Sequence, residues 1–390
     1  MENYSRMKFV VKFLFITITL FIFFNSNVQA SLEWSGNIKG FAINKDLPSF
    51  KNARNSLQVS NKNALLYTIS DEVKIEGAYE LSSIYEIPTL HSNTIANYRV
   101  KDFKPYLHDE NPSDKHKTLI LHNLNRLNLN INSQYGDFII GRMPIAFGSS
   151  KSLNPTDVLT PFALNTIDKE ERMGVDAIVY KKSIGEISFL ELGTVLGEDF
   201  EKNSSAYYIR PRFNLNEFEI TLTAMNFKEK NLIGFDLQHP IKDAGFWFES
   251  AFVDQNSDKQ TLIDPKKDFF RFTTGLDYKF QSSLYLSGEY HFNGASEKIN
   301  KLRPLEFIYL REKHYFIPTI SYEFTPLLIG SMQTYYSTHD RSSLNLLKLE
   351  YSLTDNSYLS AGSFWSIGNE YSSEFGRTGK THYLSARFYY

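Results

Sequence analysis

Arg126-Leu127-Asn128-Leu129-Asn130-Ile131-Asn132 alternates without a break, with Leu127, Leu129 and Ile131 on one face of an extended chain and Arg126, Asn128, Asn130 and Asn132 on the other. Successive side chains of a β-strand point to opposite faces, so the stretch reads as a strand with one apolar and one polar side. In a water-soluble sandwich the apolar side would be the core; in a membrane barrel it would face lipid. The pattern recurs in Phe270 to Phe280, where Phe270, Phe272, Leu276, Tyr278 and Phe280 oppose Arg271, Thr273, Gly275, Asp277 and Lys279. It recurs again in Leu284 to Phe292, and only Gln281 to Ser283 separates these two runs, which makes a tight hairpin.

Working outward, the alternation continues to the last residue with no helical stretch long enough to interrupt it. Candidate strands lie near 32–43, 55–69, 73–85, 118–133, 136–147, 172–183, 186–198, 206–214 and 217–227. The others lie near 231–239, 244–254, 269–280, 284–294, 314–324, 327–338, 342–353, 357–367 and 381–390. The expected fold is all-β: a transmembrane antiparallel β-barrel of 18 strands, with 16 as the alternative count. Connection lengths test it independently, because outer-membrane barrels have short periplasmic turns and long outer loops. Short connections at Ser70 to Glu72, Gln134 to Tyr135, Ile184 to Gly185, Leu215 to Asn216, Pro240 to Asp243, Gln281 to Ser283, Thr325 to Pro326 and Thr354 to Asn356 fall on one side. Long ones at 44–54, 86–117, 148–171, 255–268, 295–313 and 368–380 fall on the other.

The 390 residues are 15% aromatic and carry a formal charge of -2, with no cysteine. No basic excess is available to neutralise phosphates, so nucleic acid is not an expected partner. Absence of cysteine removes disulfides, thiolate nucleophiles and zinc-thiolate sites together. Residues 1–30 read as a secretory signal peptide: Arg6, Lys8 and Lys12 make a positive start, Phe13 to Phe24 is apolar throughout, and Val28-Gln29-Ala30 is a small-residue cleavage pattern. The apolar run is too short to span a bilayer. The expected mature chain is therefore residues 31–390, a single barrel domain.

Gly141-Arg142-Met143-Pro144-Ile145-Ala146-Phe147-Gly148 leads to Asn154-Pro155-Thr156-Asp157 and then to Glu171-Arg172-Met173-Gly174-Val175-Asp176. This resembles a pattern in porin-like proteobacterial outer-membrane barrels, in which a strand ending in a Gly-Arg-Gln-like triplet runs into an Asn-Pro-Thr-Asp loop. Met143 stands where Gln is common in that group. The resemblance implies a channel-forming barrel. Physically, the 148–171 loop is the candidate to fold into the lumen, since a barrel of this size otherwise leaves a wide aqueous channel. Asn154 and Asp157 are turn and cap residues in that loop; Arg142 and Arg172 either contact solute or pin the loop to the wall.

Alternation places Arg126, Asp176, Arg210, Arg212, Asp236, Glu249, Arg271, Asp277, Lys279, Glu289, Lys348 and Glu350 on lumen faces. Rings of charge are how pores select solutes. The signs are mixed, which predicts weak charge selectivity overall, with a local cationic patch around Arg142, Arg172, Arg210 and Arg212 that would favour anionic solutes; for each single charge a cross-strand ion pair is the favoured reading. The pairs Tyr207-Tyr208, Tyr335-Tyr336 and Tyr389-Tyr390 put one ring inward and one outward. Nine histidines lack metal-site spacing, and there is no GxSxG elbow or P-loop, so neither an enzyme nor a cofactor is expected; a pair such as Ser287 and His291 is the nearest to catalytic chemistry.

The expected function is passive diffusion of small hydrophilic solutes through an outer-membrane channel of a Gram-negative bacterium. The expected constriction and pore lining is Arg126, Arg142, Asn154, Asp157, Arg172, Asp176, Arg210, Arg212, Arg271 and Glu289. The expected partners are outer-membrane lipid, small solutes and the barrel-assembly machinery, the last through a C-terminal strand whose final aromatic, Tyr390, resembles the assembly signal of such barrels. The lipid face carries no mark separating monomer from trimer. Two alternatives remain: an export barrel for an extracellular polymer, and a plugged surface receptor or adhesin using the 86–117 loop with Asp102, Lys104, Asp109, Glu110, Asp114 and Lys115.

Overall fold

The computed structural model describes residues 30–46, 54–85, 98–103, 106–108, 118–228, 230–254, 268–296, 310–370, 372–376 and 378–390. The expected leader, apart from Ala30, and Lys104, Asp109, Glu110, Asp114 and Lys115 of the 86–117 loop lie outside the described residues. The first half of the chain holds β1 (Ser31–Asp46), β2 (Arg54–Thr68), β3 (Val73–Tyr85), β4 (Tyr106–His108), β5 (Thr118–Ile131), β6 (Asp137–Met143), β7 (Val175–Ser183), β8 (Phe189–Leu196), β9 (Ala206–Leu215) and β10 (Phe218–Phe227). The second half holds β11 (Lys230–Ile241), β12 (Ala244–Asp254), β13 (Phe269–Lys279), β14 (Leu284–Asn293), β15 (His314–Thr325), β16 (Leu328–Ser337), β17 (Ser343–Thr354), β18 (Ser357–Ile367) and β19 (Lys380–Tyr389).

All form one antiparallel sheet in which each long strand pairs with the next and β19 closes on β1, from Asn37 opposite Tyr389 to Asp46 opposite Lys380. Setting aside the three-residue β4, the closed barrel has 18 strands. At one end every connection is short; all the long ones lie at the other end, together with the two-residue link between β10 and β11 and the short link between β16 and β17.

The alternation of each strand becomes two surfaces. Leu65, Leu127, Ile140, Ile178, Ile233, Phe252 and Phe270 are exposed on the outside, while their sequence neighbours turn inward. Of the tyrosine pairs, Tyr208 and Tyr335 are buried inside and Tyr207 and Tyr336 are exposed outside. Two inner glycines, Gly193 and Gly362, lie directly opposite Tyr208 and Tyr383, whose rings cover them so closely that a Cβ would overlap the ring. An aromatic ring laid over a strand glycine restores the packing that the missing side chain forfeits.

One strand departs from expectation. The run expected over 136–147 stops at Met143, because Pro144 has no N–H to continue the ladder and the chain leaves the wall there. It returns only at Val175. The upper half of β5 would then have an open edge, a costly row of unpaired backbone groups. Residues 98–103 and β4 cover it. β4 pairs with Thr118 to Ile120 of β5, the Asp176 N–H donates to the Tyr98 carbonyl (3.0 Å), and the Asp199 N–H donates to the Val100 carbonyl (3.2 Å).

Candidate functional site: the segment between β6 and β7

Residues 144–174 carry no helix or strand and run from one side of the inner wall to the other. Their apolar side chains dock on two inner patches. Ile145, Phe147 and Leu159 pack with Val175, Val195, Met225, Leu232 and Val253, all on the inner parity of β7 to β12. Leu153 packs with Tyr315, Ile317, Tyr335 and Leu344 of β15 to β17. Each such burial is worth roughly 1.5–3 kcal/mol, so together they outweigh any single polar contact here.

Polar bonds fix where the segment lies. At its first part, the Thr156 N–H and Oγ1 donate to Glu249 of β12 (2.8 and 2.7 Å), as do the N–H groups of Ser149 and Ser150 (3.2 and 3.1 Å). The Lys151 N–H donates to Glu289 of β14 (2.7 Å), and Thr273 of β13 donates to the Leu153 carbonyl (2.8 Å). At its last part, Lys39 of β1 pairs with Asp168 (2.7 Å) and Glu170, Lys62 of β2 pairs with Glu171, and Tyr389 of β19 donates to Glu170 (2.6 Å). Burial would raise the Glu170 carboxyl, but the bonds from Lys39 and Tyr389 hold it below the ordinary carboxylate range.

Within the segment, the Asp157 N–H closes a turn on the Asn154 carbonyl (3.2 Å), and no helix follows for Asp157 to cap. Asp157 instead pairs with Arg172, which also donates to the Thr160 carbonyl (3.1 Å) and lies over the Phe162 ring. Burial pushes the Asp157 carboxyl up to about 6 against the pull of Arg172. Between the last part and the wall of β1 to β3 lies a cavity of about 380 Å³ lined by Asn37, Lys39, Ser60, Lys62, Glu80 and Asp168, among others. It is the polar counterpart of the two apolar patches.

The residues singled out from sequence fall into three groups. Asn154, Asp157, Arg172, Arg210 and Glu289 meet at or in the segment; Arg210 donates to the Ala146 carbonyl (3.0 Å) while pairing with Glu191 (3.0 Å). Arg126, Arg212 and Arg271 face inward elsewhere: Arg126 lies 3.6 Å from Glu76, Arg212 pairs with Glu219, and Arg271 is buried against the Phe269 ring. Arg142 and Asp176 stand apart, and here the expected lumen placement is corrected. Cross-strand register sets them opposite each other and opposite Leu127, on the outward parity of Ile140 and Ile178. They are buried there beneath 98–103: Arg142 donates twice to Asp176 (2.7 and 2.9 Å) and once to the Lys101 carbonyl (2.9 Å), and the Val100 N–H donates to Asp176 (2.8 Å). The physical cause is that the inner side of β7 is apolar, since it carries the docked segment, so the rule that polar faces inward is inverted locally.

Sequence reasoning missed Lys39, Lys62, Asp168, Glu170 and Arg99. Lys39 sits between Asn37 and Phe41 on an inner face that is not uniformly polar, which hid it; Arg99 lies in a stretch that read as a loop. His291 bonds Thr273 (2.8 Å), which the spacing to Ser287 did not anticipate.

No protein-family model and no curated protein matches the chain. Solved structures do. OccK5 (OpdH) of Pseudomonas aeruginosa superposes with a TM-score of 0.59 at 9% identity, covering 92% of this chain and 98% of its own. OccAB4 of Acinetobacter baumannii gives 0.57 at 11% identity, covering 94% and 100%. OmpF of Salmonella typhi, solved in complex with daunomycin, gives 0.50 at 11% identity, covering 92% and 97%. The chain has an outer-membrane porin fold. At these identities the likeness is one of architecture, and the segment between β6 and β7 has to be read from its own residues.

Proposed function

We propose that this barrel is an outer-membrane channel through which small hydrophilic solutes diffuse, narrowed by the segment between β6 and β7. The carrying observation is that this one segment is bonded to β12 to β14 at its first part and to β19, β1 and β2 at its last. A stretch of chain held at both sides of a wide barrel reduces the open cross-section to what remains beside it. The exposed apolar outer faces suit lipid, and the porin fold suits a Gram-negative outer membrane. In this reading residues 1–30 direct export and are removed after Ala30, and the C-terminal strand ending in Tyr390 is presented to the barrel-assembly machinery.

Solute passes the polar side, along the cavity beside Lys39 and Lys62. Charge selectivity is weak. An anion preference would require free arginines, whereas Arg142, Arg172, Arg210 and Arg212 are each bound to a carboxylate, and the two cavity lysines face Asp168, Glu170 and Glu171. The test is single-channel conductance and reversal potential of refolded residues 31–390 in planar bilayers, with and without residues 150–165. Stable conductance that rises on deletion, with a small reversal potential, is expected. A folded barrel without conductance would sink the channel reading.

A further inference from the structure

Glu249 is a wholly buried carboxylate in the middle of β12, and among the described residues no salt bridge includes it. Its charge is met by the backbone instead. One oxygen accepts the Thr156 N–H and hydroxyl, the other the N–H groups of Ser149 and Ser150. The segment between β6 and β7 is thus wrapped around a wall carboxylate as a backbone nest is wrapped around an anion. Two glycines make the approach possible. Gly148 has φ +88°, and a Cβ on it would run into the Glu249 carboxylate; a Cβ on Gly234 of β11 would run into the Thr156 methyl. Next along the segment, Glu289 accepts the Lys151 N–H, Ser152 and the Trp247 indole N–H, and Thr273 donates to the Leu153 carbonyl; no glycine of the segment lies against these contacts.

We infer that Glu249 is the positioning residue that sets the width of the channel, by templating residues 148–156 on the inner wall. The inference rests on the proposed constriction and deepens it. Apolar docking holds the segment inside, but it is non-directional and tolerates sliding. Four charge-assisted bonds to one carboxylate specify a single path for the chain. Without them Ser149 is still held by Asp236 of β11, but the buried N–H groups of Ser150 and Thr156 lose their partner, and they regain hydrogen bonds by moving toward water in the lumen.

The test compares the parent, Glu249→Leu, Glu249→Gln, Gly148→Val and the 150–165 deletion as refolded barrels, reading single-channel conductance and heat-modifiable migration. Glu249→Leu is expected to change mean conductance by about twofold or more toward that of the deletion, with frequent switching between levels, while the band still shifts on heating. Glu249→Gln keeps one acceptor oxygen and is expected to recover most of the parent level, which a role in bulk packing would not predict. Gly148→Val leaves β12 untouched but forces the nest off the carboxylate, and it should reproduce the leucine phenotype even where Glu249→Leu fails to fold. If deletion raises conductance but neither Gly148→Val nor a folded Glu249→Leu does, this assignment is overturned and the constriction stands. If deletion itself changes nothing, the constriction reading has failed.

Discussion

At the scale of the residue, the informative cases are charged groups whose partners were invisible in the linear chain. Asp157 is buried beside Arg172, and its carboxyl stands at about 6, well above its ordinary value near 3.8. As pH falls through 6 it takes up a proton while Arg172 stays charged, so the segment becomes more positive. The reversal potential is expected to move toward anions between pH 7 and pH 5, and Asp157→Asn should reduce that movement. Because the folded pKa is raised, this group contributes stability that is complete below the unfolded value and lost as pH rises through 6. Arg142 is a different case. Its guanidinium ties Asp176 to the Lys101 carbonyl, so Arg142→Ala leaves a buried carboxylate unpaired and should cost about 3 kcal/mol, measurable by denaturant titration of the folded barrel. Nothing in the spacing of Arg142 and Asp176 distinguished this tie from a lumen pair; only strand register did.

At the scale of the element, the strands themselves were legible and their ends were not. Antiparallel strands in a closed barrel are each half apolar, so period two persists through every one of them. β6 was the exception, since the apolar alternation of Ile145 and Phe147 continues past Pro144 although those residues pack inside the barrel and not in its wall. The seam between β1 and β19 carries a prediction of its own. Tyr390 exchanges two backbone bonds with Gly36 (2.9 and 3.0 Å), its ring covers that glycine, and its hydroxyl lies 3.0 Å from Asn63. Tyr390→Ala should lower the temperature at which the purified barrel loses its compact migration. A loss confined to assembly in cells, with unchanged stability in vitro, would assign this side chain to recognition and not to the seam. Likewise Gly193→Val, which drives a branched side chain into the Tyr208 ring, should destabilise by roughly 1–3 kcal/mol in denaturant titration.

At the scale of the whole molecule, the inner wall is divided. β7 to β12 and β15 to β17 hold the apolar docking patches, whereas β1 to β3 carry the polar cavity. If solute passes the polar side, reversing charge there must matter more than elsewhere. Lys39→Glu with Lys62→Glu is expected to move the reversal potential toward cations by more than Arg210→Glu with Arg212→Glu moves it, measured at low salt where screening is weakest. Equal shifts from the two pairs would place the passage elsewhere.

By itself the sequence determined the architecture: an all-β barrel, a strand number of 18 with 16 as the alternative, the end that bears the long loops, and which loop to propose as the constriction. Those follow from period-two patterning and connection length, which are local and repeated, so errors at single residues average out. The tertiary structure alone decided which charges meet. Lys39 finds Asp168 across 129 positions and Lys62 finds Glu171 across 109, because barrel closure and the path of the segment, not proximity in the chain, bring them together. It also decided that the cationic patch is neutralised, that Arg142 and Asp176 lie on the outer side, and that Glu249 holds the segment in place. Each of these depends on the register and on what covers a face, and neither is written in the alternation of residues along a strand.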